Sequence, residues 1–106
     1  MTKKKARTTA EIVAASVTEA QFTTQVMELA HALGWLVHHT HDSRTNHWST
    51  DKGLPDIVAA RDGRTVMAEL KRVGQKPRPE QRAWLEAAGG YCWTPLDWDN
   101  IKRVLA

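Results

Sequence analysis

The sequence predicts an α/β (α+β) fold with the secondary-structure order α-β-β-β-α-β-α. Three observations support this prediction. Three segments carry apolar residues at helical spacing, four short segments are rich in β-branched and aromatic residues, and an Asp-Gly dipeptide separates two of those strand candidates. With 106 residues, the chain has room for one domain with a modest hydrophobic core.

The first predicted helix begins near Thr18 and ends before Gly34. Thr18 and Gln21 have the spacing of a capping box, and glycine favours the left-handed conformation that ends helices. Residues 1–16 combine four basic residues with threonines and alanines, and we expect a flexible basic arm there, which leaves 17–106 as the domain. The apolar stripe of the helix consists of Phe22, Val26, Leu29, Ala30 and Leu33.

Four strands and two further helices complete the predicted order. The dipeptide Asp62-Gly63 is well suited to a two-residue type I′ hairpin turn between the second and third strands. A helix is expected between Pro79, a good first-turn residue, and the Gly89-Gly90 pair. The strands are expected at 35–40, 56–61, 64–72 and 91–94, a polar loop at 41–52, and a last helix at 97–105.

The composition narrows the classes of partner. A formal net charge of +3 favours a polyanionic partner. No stretch approaches the roughly 18 apolar residues of a membrane span, so we expect a cytoplasmic protein without a membrane partner. The single cysteine, Cys92, is interpreted as a buried structural thiol. The five tryptophans are assigned mainly to the core, with stacking of Trp48 on a base as the alternative.

The predicted turn fixes the register of the hairpin. If Asp62 and Gly63 are the turn residues, Asp56 lies opposite Glu69, with their Cβ atoms about 4.5 to 5.5 Å apart. Side chains alternate along a strand, so Lys71 shares a face with Glu69. Two opposed carboxylates repel unless a cation lies between them, and hard oxygen ligands favour Mg²⁺ or Mn²⁺ over zinc.

Two readings of this group stay open. In the first, Lys71 orients a water molecule or stabilises negative charge on a phosphate beside the metal. In the second, Lys71 and Arg72 simply neutralise an exposed acid pair. Glu19 should point toward the sheet, as a ligand or as an acid that interacts favourably with the helix dipole. Gln81 should also face inward, with a hydrogen bond to a nearby backbone group as its alternative role.

The histidines permit a zinc interpretation. His38, His39, His41 and His47 lie near Asp42, but no second ligand pair has the spacing of a zinc finger. The preferred interpretation places His41 or His47 beside the cleft, in contact with a phosphate or a leaving group.

The run Gly53-Leu54-Pro55-Asp56, followed thirteen positions after Asp56 by Glu69-Leu70-Lys71, resembles the PD-(D/E)XK nuclease superfamily. Together with Glu19 on a first helix, and with Glu80-Gln81 before Trp84-Leu85 on a later one, the pattern is similar to the VRR-NUC family over residues 17–105.

That resemblance implies a restriction-endonuclease-like core, with a mixed central sheet flanked by helices, and Mg²⁺-dependent phosphodiester hydrolysis. Asp56 and Glu69 would be metal ligands assisted by the backbone carbonyl of Leu70, while Lys71 would position the nucleophilic water. Glu19 would match the family's first-helix acid, a further metal ligand, and Gln81 its helix glutamine. Similar stand-alone members are phage or bacterial proteins that form homodimers with a Holliday-junction-resolvase-like arrangement.

The expected substrate is therefore DNA, including branched DNA, recognised by its structure rather than its sequence. Arg72, Lys76 and Arg78 are the best candidates for phosphate contacts. A flap-type or non-specific nuclease is the alternative within the enzyme class. A non-catalytic nucleic-acid-binding module is the alternative outside it.

Overall fold

The structure is a computed structural model, and it describes residues 7–40 and 53–106. Four strands form one mixed sheet, and helices flank it. Within the described ranges, no helix is long and apolar enough to cross a membrane. The elements are α1 Thr9–Ser16, α2 Glu19–Ala32, β1 Leu36–His39, β2 Ile57–Arg61, β3 Arg64–Leu70, α3 Pro79–Ala88, β4 Tyr91–Trp93, a 3-10 turn Pro95–Asp97 and α4 Trp98–Leu105.

The sheet has the strand order β1-β2-β3-β4. β2 pairs with both β1 and β3 in antiparallel fashion, whereas β4 lies parallel to β3 after the α3 crossover. Ile57 pairs with Ala68 and Arg61 with Arg64, so the predicted hairpin register is confirmed. Asp62 has φ 51° and Gly63 has φ 79°, as both central residues of a type I′ turn require.

The core lies between one face of this sheet and helices α2 and α4. The predicted stripe of α2 contributes Phe22 and Val26, each at most 1% exposed, whereas Leu33 is 37% exposed and does not belong to the core. Helix α4 contributes Ile101 and Leu105, which are both buried. The buried sheet residues are Ile57, Ala59, Val66, Ala68, Leu70 and Trp93.

The prediction of a flexible arm over 1–16 is wrong for its second half, because residues 9–16 form helix α1. The Thr8 hydroxyl accepts a hydrogen bond from the Glu11 N–H, a capping pattern that the basic composition obscured. Residues 1–6 lie outside the described ranges. The described residues therefore contain one α-helix more than the predicted order.

Local signals placed the other helices well. The capping box at the start of α2 is confirmed, since Thr18 and Gln21 exchange hydrogen bonds of 2.9 and 3.1 Å. Helix α3 ends at Gly89, whose φ of 63° lies in the left-handed region. The last helix begins at Trp98 rather than Asp97, because a 3-10 turn precedes it.

Candidate functional site

The open end of the β2–β3 hairpin brings the two candidate metal-binding acids together. Continuing the register beyond Ile57 and Ala68 puts Asp56 opposite Glu69, and their side chains share a hydrogen bond. The Leu70 N–H donates to Oδ2 of Asp56 at 2.9 Å. Pro55 would be the next residue opposite Leu70 in the ladder. Because the strand pairing ends before it, the Asp56 carboxylate accepts the hydrogen bond from the Leu70 N–H in place of a backbone carbonyl.

Glu69 is 1% exposed, and its carboxyl group is the most perturbed acid in the described part of the chain. Burial, the hydrogen bond with Asp56 and the Asp56 charge raise its pKa to about 9. At neutral pH, the carboxyl group of Glu69 is therefore protonated. Oε2 of Glu69 is buried and has no hydrogen-bond partner among residues 7–40 and 53–106.

Lys71 lies at the end of β3, where its N–H donates to the Trp93 carbonyl at 2.9 Å. Its positive charge lowers the pKa of Glu69 and partly offsets the effect of burial. The predicted convergence of Lys71 with the acid pair is thus present as an electrostatic interaction. The side chain is half-buried, so water can reach its ammonium group.

Cys92 is the β4 neighbour of Glu69 in the sheet register. It is partly buried rather than fully buried. Burial and the Glu69 charge raise the pKa of its thiol, which keeps the sulfur protonated. This state fits the expected structural thiol.

Glu19, predicted to point toward the sheet, is exposed but does face the site. It lines a cleft of about 570 Å³ together with Thr23, Met27, His39 and Asp56, and its charge contributes to the raised pKa of Glu69. Helix α2 thus brings an acid to the edge of the centre, beyond the tightly bonded Asp56–Glu69 pair.

Gln81 points inward as predicted, with 7% exposure. Its Oε1 accepts a hydrogen bond from the Arg78 N–H at 2.8 Å, which satisfies a donor at the start of α3. Gly53 lies against the backbone of this first turn and has φ +87°. A Cβ atom built on Gly53 would lie 2.5 Å from the Glu80 carbonyl carbon, so only glycine fits there without a shift. The backbone-capping alternative considered for Gln81 is therefore present in the structure.

The three candidate phosphate-binding residues, Arg72, Lys76 and Arg78, are exposed around the β3–α3 loop. Arg78 forms an ion pair with Glu80 at 3.3 Å, whose side chain is 43% exposed. His41, His47 and Trp48 lie outside the described residues.

The donor set fits a hard divalent cation. Two opposed carboxylates, one of them with an unpartnered buried oxygen, match the one or two carboxylates with which Mg²⁺ is bound when water and phosphate complete its shell. Residues 7–40 and 53–106 contain no group of three or more His, Cys, Asp or Glu side chains arranged to hold a metal ion. A closed site built from protein ligands alone, as structural zinc requires, is therefore not formed by these residues.

Two residues near the centre were not predicted. His39 lines the cleft, although the sequence pointed to it only within the zinc interpretation. Thr40 donates its N–H to the Asp56 carbonyl at 2.7 Å, and its hydroxyl is buried without a partner among the described residues. Register arithmetic applied to β1 would have found Thr40, but nothing in the sequence fixes the pairing of β1 with β2.

Comparisons of the chain with protein-family models, curated proteins and solved structures found no match. The class that fold and site define is thus an α+β protein with a mixed sheet and, at the open end of its β2–β3 hairpin, an acid pair in which Glu69 is buried.

Proposed function

We propose that this protein is a Mg²⁺-dependent PD-(D/E)XK-type deoxyribonuclease that hydrolyses phosphodiester bonds, with a preference for structured DNA such as four-way junctions. The observation that carries the proposal is the Asp56–Glu69 pair. Its two side chains share a hydrogen bond, Glu69 is buried while Asp56 is half-buried beside the cleft, and one carboxylate oxygen of Glu69 has no partner in the described chain. Burying a carboxylate next to a second one is energetically unfavourable, and acids perturbed in this way beside a cleft are candidates for a functional site.

Each residue of the centre has a distinct role in the proposed reaction. Asp56 and Glu69 would hold Mg²⁺, or Mn²⁺ as a substitute, with the Leu70 carbonyl assisting and Glu19 contributing from the cleft. The bound metal supplies a water of lowered pKa and neutralises charge on the scissile phosphate. To act as a ligand, Glu69 would have to release its proton to solvent, and the nearby positive charge of Lys71 favours that release.

Lys71 would orient the attacking water and stabilise charge on the phosphate. Arg72, Lys76 and Arg78, exposed on the adjacent loop, would contact the DNA backbone in a salt-dependent manner. The net charge of +3 supports a polyanionic substrate.

The test is cleavage of linear duplex, single-stranded, flap and four-way-junction DNA in Mg²⁺, Mn²⁺ or EDTA. We expect metal-dependent cleavage that is strongest on the junction. Preference for a flap would favour the flap-type alternative, and equal cutting of all DNAs the non-specific one. Binding without cleavage under every metal condition would exclude the enzyme and leave the nucleic-acid-binding module.

A matched pair of lysine variants tests the centre. Lys71→Ala should reduce cleavage at least about a hundredfold without unfolding the protein, because it removes a charge at the reacting phosphate. Lys102→Ala, in which the lost ammonium is half-exposed and paired with Asp99 on α4, should cleave at the parent rate. Equal rates for the two variants would remove Lys71 from the mechanism.

We also propose a homodimer in the cytoplasm of a bacterial or phage-infected cell. The described part of one chain offers one candidate centre, so paired cuts across a junction would need two copies. Small-angle scattering should give twice the monomer mass, and the junction should be nicked symmetrically. A monomeric mass with one nick per binding event would contradict the dimer.

A further inference from the structure

We propose that the cleft between α2 and the start of β2 holds one unpaired nucleobase of the DNA substrate, next to the bond that is cut. This inference rests on the proposed function, because it assigns part of the substrate to a surface beside the candidate metal centre. The cleft borders Asp56 on the side of the sheet where β1 lies.

The chemistry of the cleft suits a base better than a phosphate chain. Its described lining contains no lysine or arginine, the residues that neutralise DNA phosphates. Met27 and His39 offer a thioether and an imidazole for contact with a ring face, and Thr24 offers a hydroxyl for a polar edge. The Glu19 carboxylate can accept hydrogen bonds from exocyclic amino groups of bases.

The exposed basic residues of the loop after β3 lie on the other flank of the centre. In the strand order β1-β2-β3-β4, the cleft adjoins β1 and β2, whereas Lys71 and the 72–78 loop follow β3. Exposed Arg72 and Lys76 belong to that loop. A DNA strand crossing Asp56 and Glu69 can therefore keep its phosphates on the basic flank while one base turns into the cleft, whose described lining carries the Glu19 and Asp56 carboxylates and no lysine or arginine.

The volume of the cleft limits what part of a DNA substrate it can hold. A volume of about 570 Å³ lies within the range of roughly 300–1,000 Å³ that is typical of small-molecule sites, so one nucleobase with its sugar fits. A base stacked and paired in duplex DNA cannot reach such a cleft unless it leaves the stack. The preferred DNA should carry, beside the cleavage position, a nucleotide that is unpaired, as in flaps and mismatches, or that can leave its pair, as at a junction branch point.

The experiment first maps the cut position on the best DNA substrate, and then replaces the adjacent unpaired nucleotide with an abasic residue. For the parent protein, we expect kcat/KM to fall about tenfold, the effect of losing one base–side-chain stacking contact. Ala20 lines the cleft and Ala32 does not, and both are exposed residues of α2, so Ala20→Phe and Ala32→Phe form a matched pair.

Filling the cleft should mimic removal of the base. Ala20→Phe should lower kcat/KM about tenfold on the intact DNA and cut abasic and intact DNA equally, whereas Ala32→Phe should behave as the parent. With 2-aminopurine at the same nucleotide, binding in EDTA should change the fluorescence for the parent and Ala32→Phe only. This optical readout needs no cleavage.

Equal cleavage of abasic and intact DNA by the parent would overturn the base site and leave the nuclease standing. The same conclusion would follow if Ala20→Phe matched Ala32→Phe in both assays. Absence of cleavage of every DNA by the parent would overturn the proposed function, and the base site with it. The abasic comparison uses the parent protein alone, so misfolding of a variant does not affect it.

Discussion

Replacing Glu69 with glutamine should remove a pH dependence from the stability of the metal-free protein. The pKa of Glu69 is about 9 in the folded protein, against an ordinary value of 4.5. Between these values, the folded state holds one proton more than the unfolded state. The contribution of Glu69 to the stability is therefore fully present below pH 4.5 and is lost as the pH rises toward 9. Glutamine carries no titrating proton, and it can still donate a hydrogen bond to Asp56.

The size of the effect follows from one excess proton. Each pH unit within this window costs roughly 1.4 kcal/mol, so from pH 6 to pH 8 the parent should lose about 3 kcal/mol relative to Glu69→Gln. The assay is urea unfolding in EDTA, followed by tryptophan fluorescence, at pH 6, 7 and 8. Comparing parent and variant cancels the titration of the histidines, which both proteins share.

Glu86→Gln is the control, because Glu86 is an exposed acid of α3. Its stability should follow that of the parent at every pH. If the parent and Glu69→Gln lose stability in parallel between pH 6 and 8, the buried proton does not exist. Saturating Mg²⁺ should stabilise the parent more at pH 8 than at pH 6, because less proton release then opposes binding.

Two further predictions concern residues that support the fold, one three positions before Asp56 and one at the turn end of the hairpin. Gly53→Ala should destabilise the protein by at least about 2 kcal/mol in urea unfolding, because φ is +87° and the added Cβ would meet the backbone of Glu80. Gly63→Ala is the control and should cost less, because its added Cβ would meet no neighbouring atom. Arg61→Ala should lower the free energy of unfolding by about 2 kcal/mol, because the variant loses three hydrogen bonds to backbone oxygens at the ends of α2 and α4 and the contact over Trp35. Its rate of DNA cleavage at 20 °C should be unchanged. A stable Gly53→Ala protein or an inactive Arg61→Ala protein would contradict these assignments.

The hairpin was predictable because its information is local. Asp62-Gly63 fixes both the turn and the register, and the position of Asp56 opposite Glu69 then follows from the alternation of a strand. The inward position of Gln81 was predictable from helical spacing in the same way. In both cases, a few neighbouring residues determine the geometry.

What the sequence did not reveal depends on contacts between distant segments. The burial of Glu69, and with it the raised pKa, results from elements that pack over β3. His39 reaches the cleft only because β1 lies beside β2, and no turn signal specifies that pairing. Helix α1 was missed for a different reason: its cap, Thr8 with Glu11, was present in the sequence, but the basic residues before it dominated the composition.

The roles of Gln81 and Gln21 can be separated because each caps a helix with the same bond. Oε1 of Gln81 accepts from the Arg78 N–H at 2.8 Å, and Oε1 of Gln21 accepts from the Thr18 N–H at 2.9 Å. Each alanine variant should therefore lose about 1 kcal/mol of stability in urea unfolding. Gln81, however, starts the helix whose first turn contacts Gly53, three residues before Asp56.

A shift of that turn would move a candidate metal ligand, so Gln81→Ala should also weaken Mg²⁺ binding, measured by calorimetry, about tenfold, whereas Gln21→Ala should not. Equal Mg²⁺ affinities at equal stability losses would reduce Gln81 to a helix cap. Weaker Mg²⁺ binding in Gln81→Ala alone would make it a positioning residue, since the contact between α3 and the Gly53–Asp56 segment would then hold the metal ligand in place.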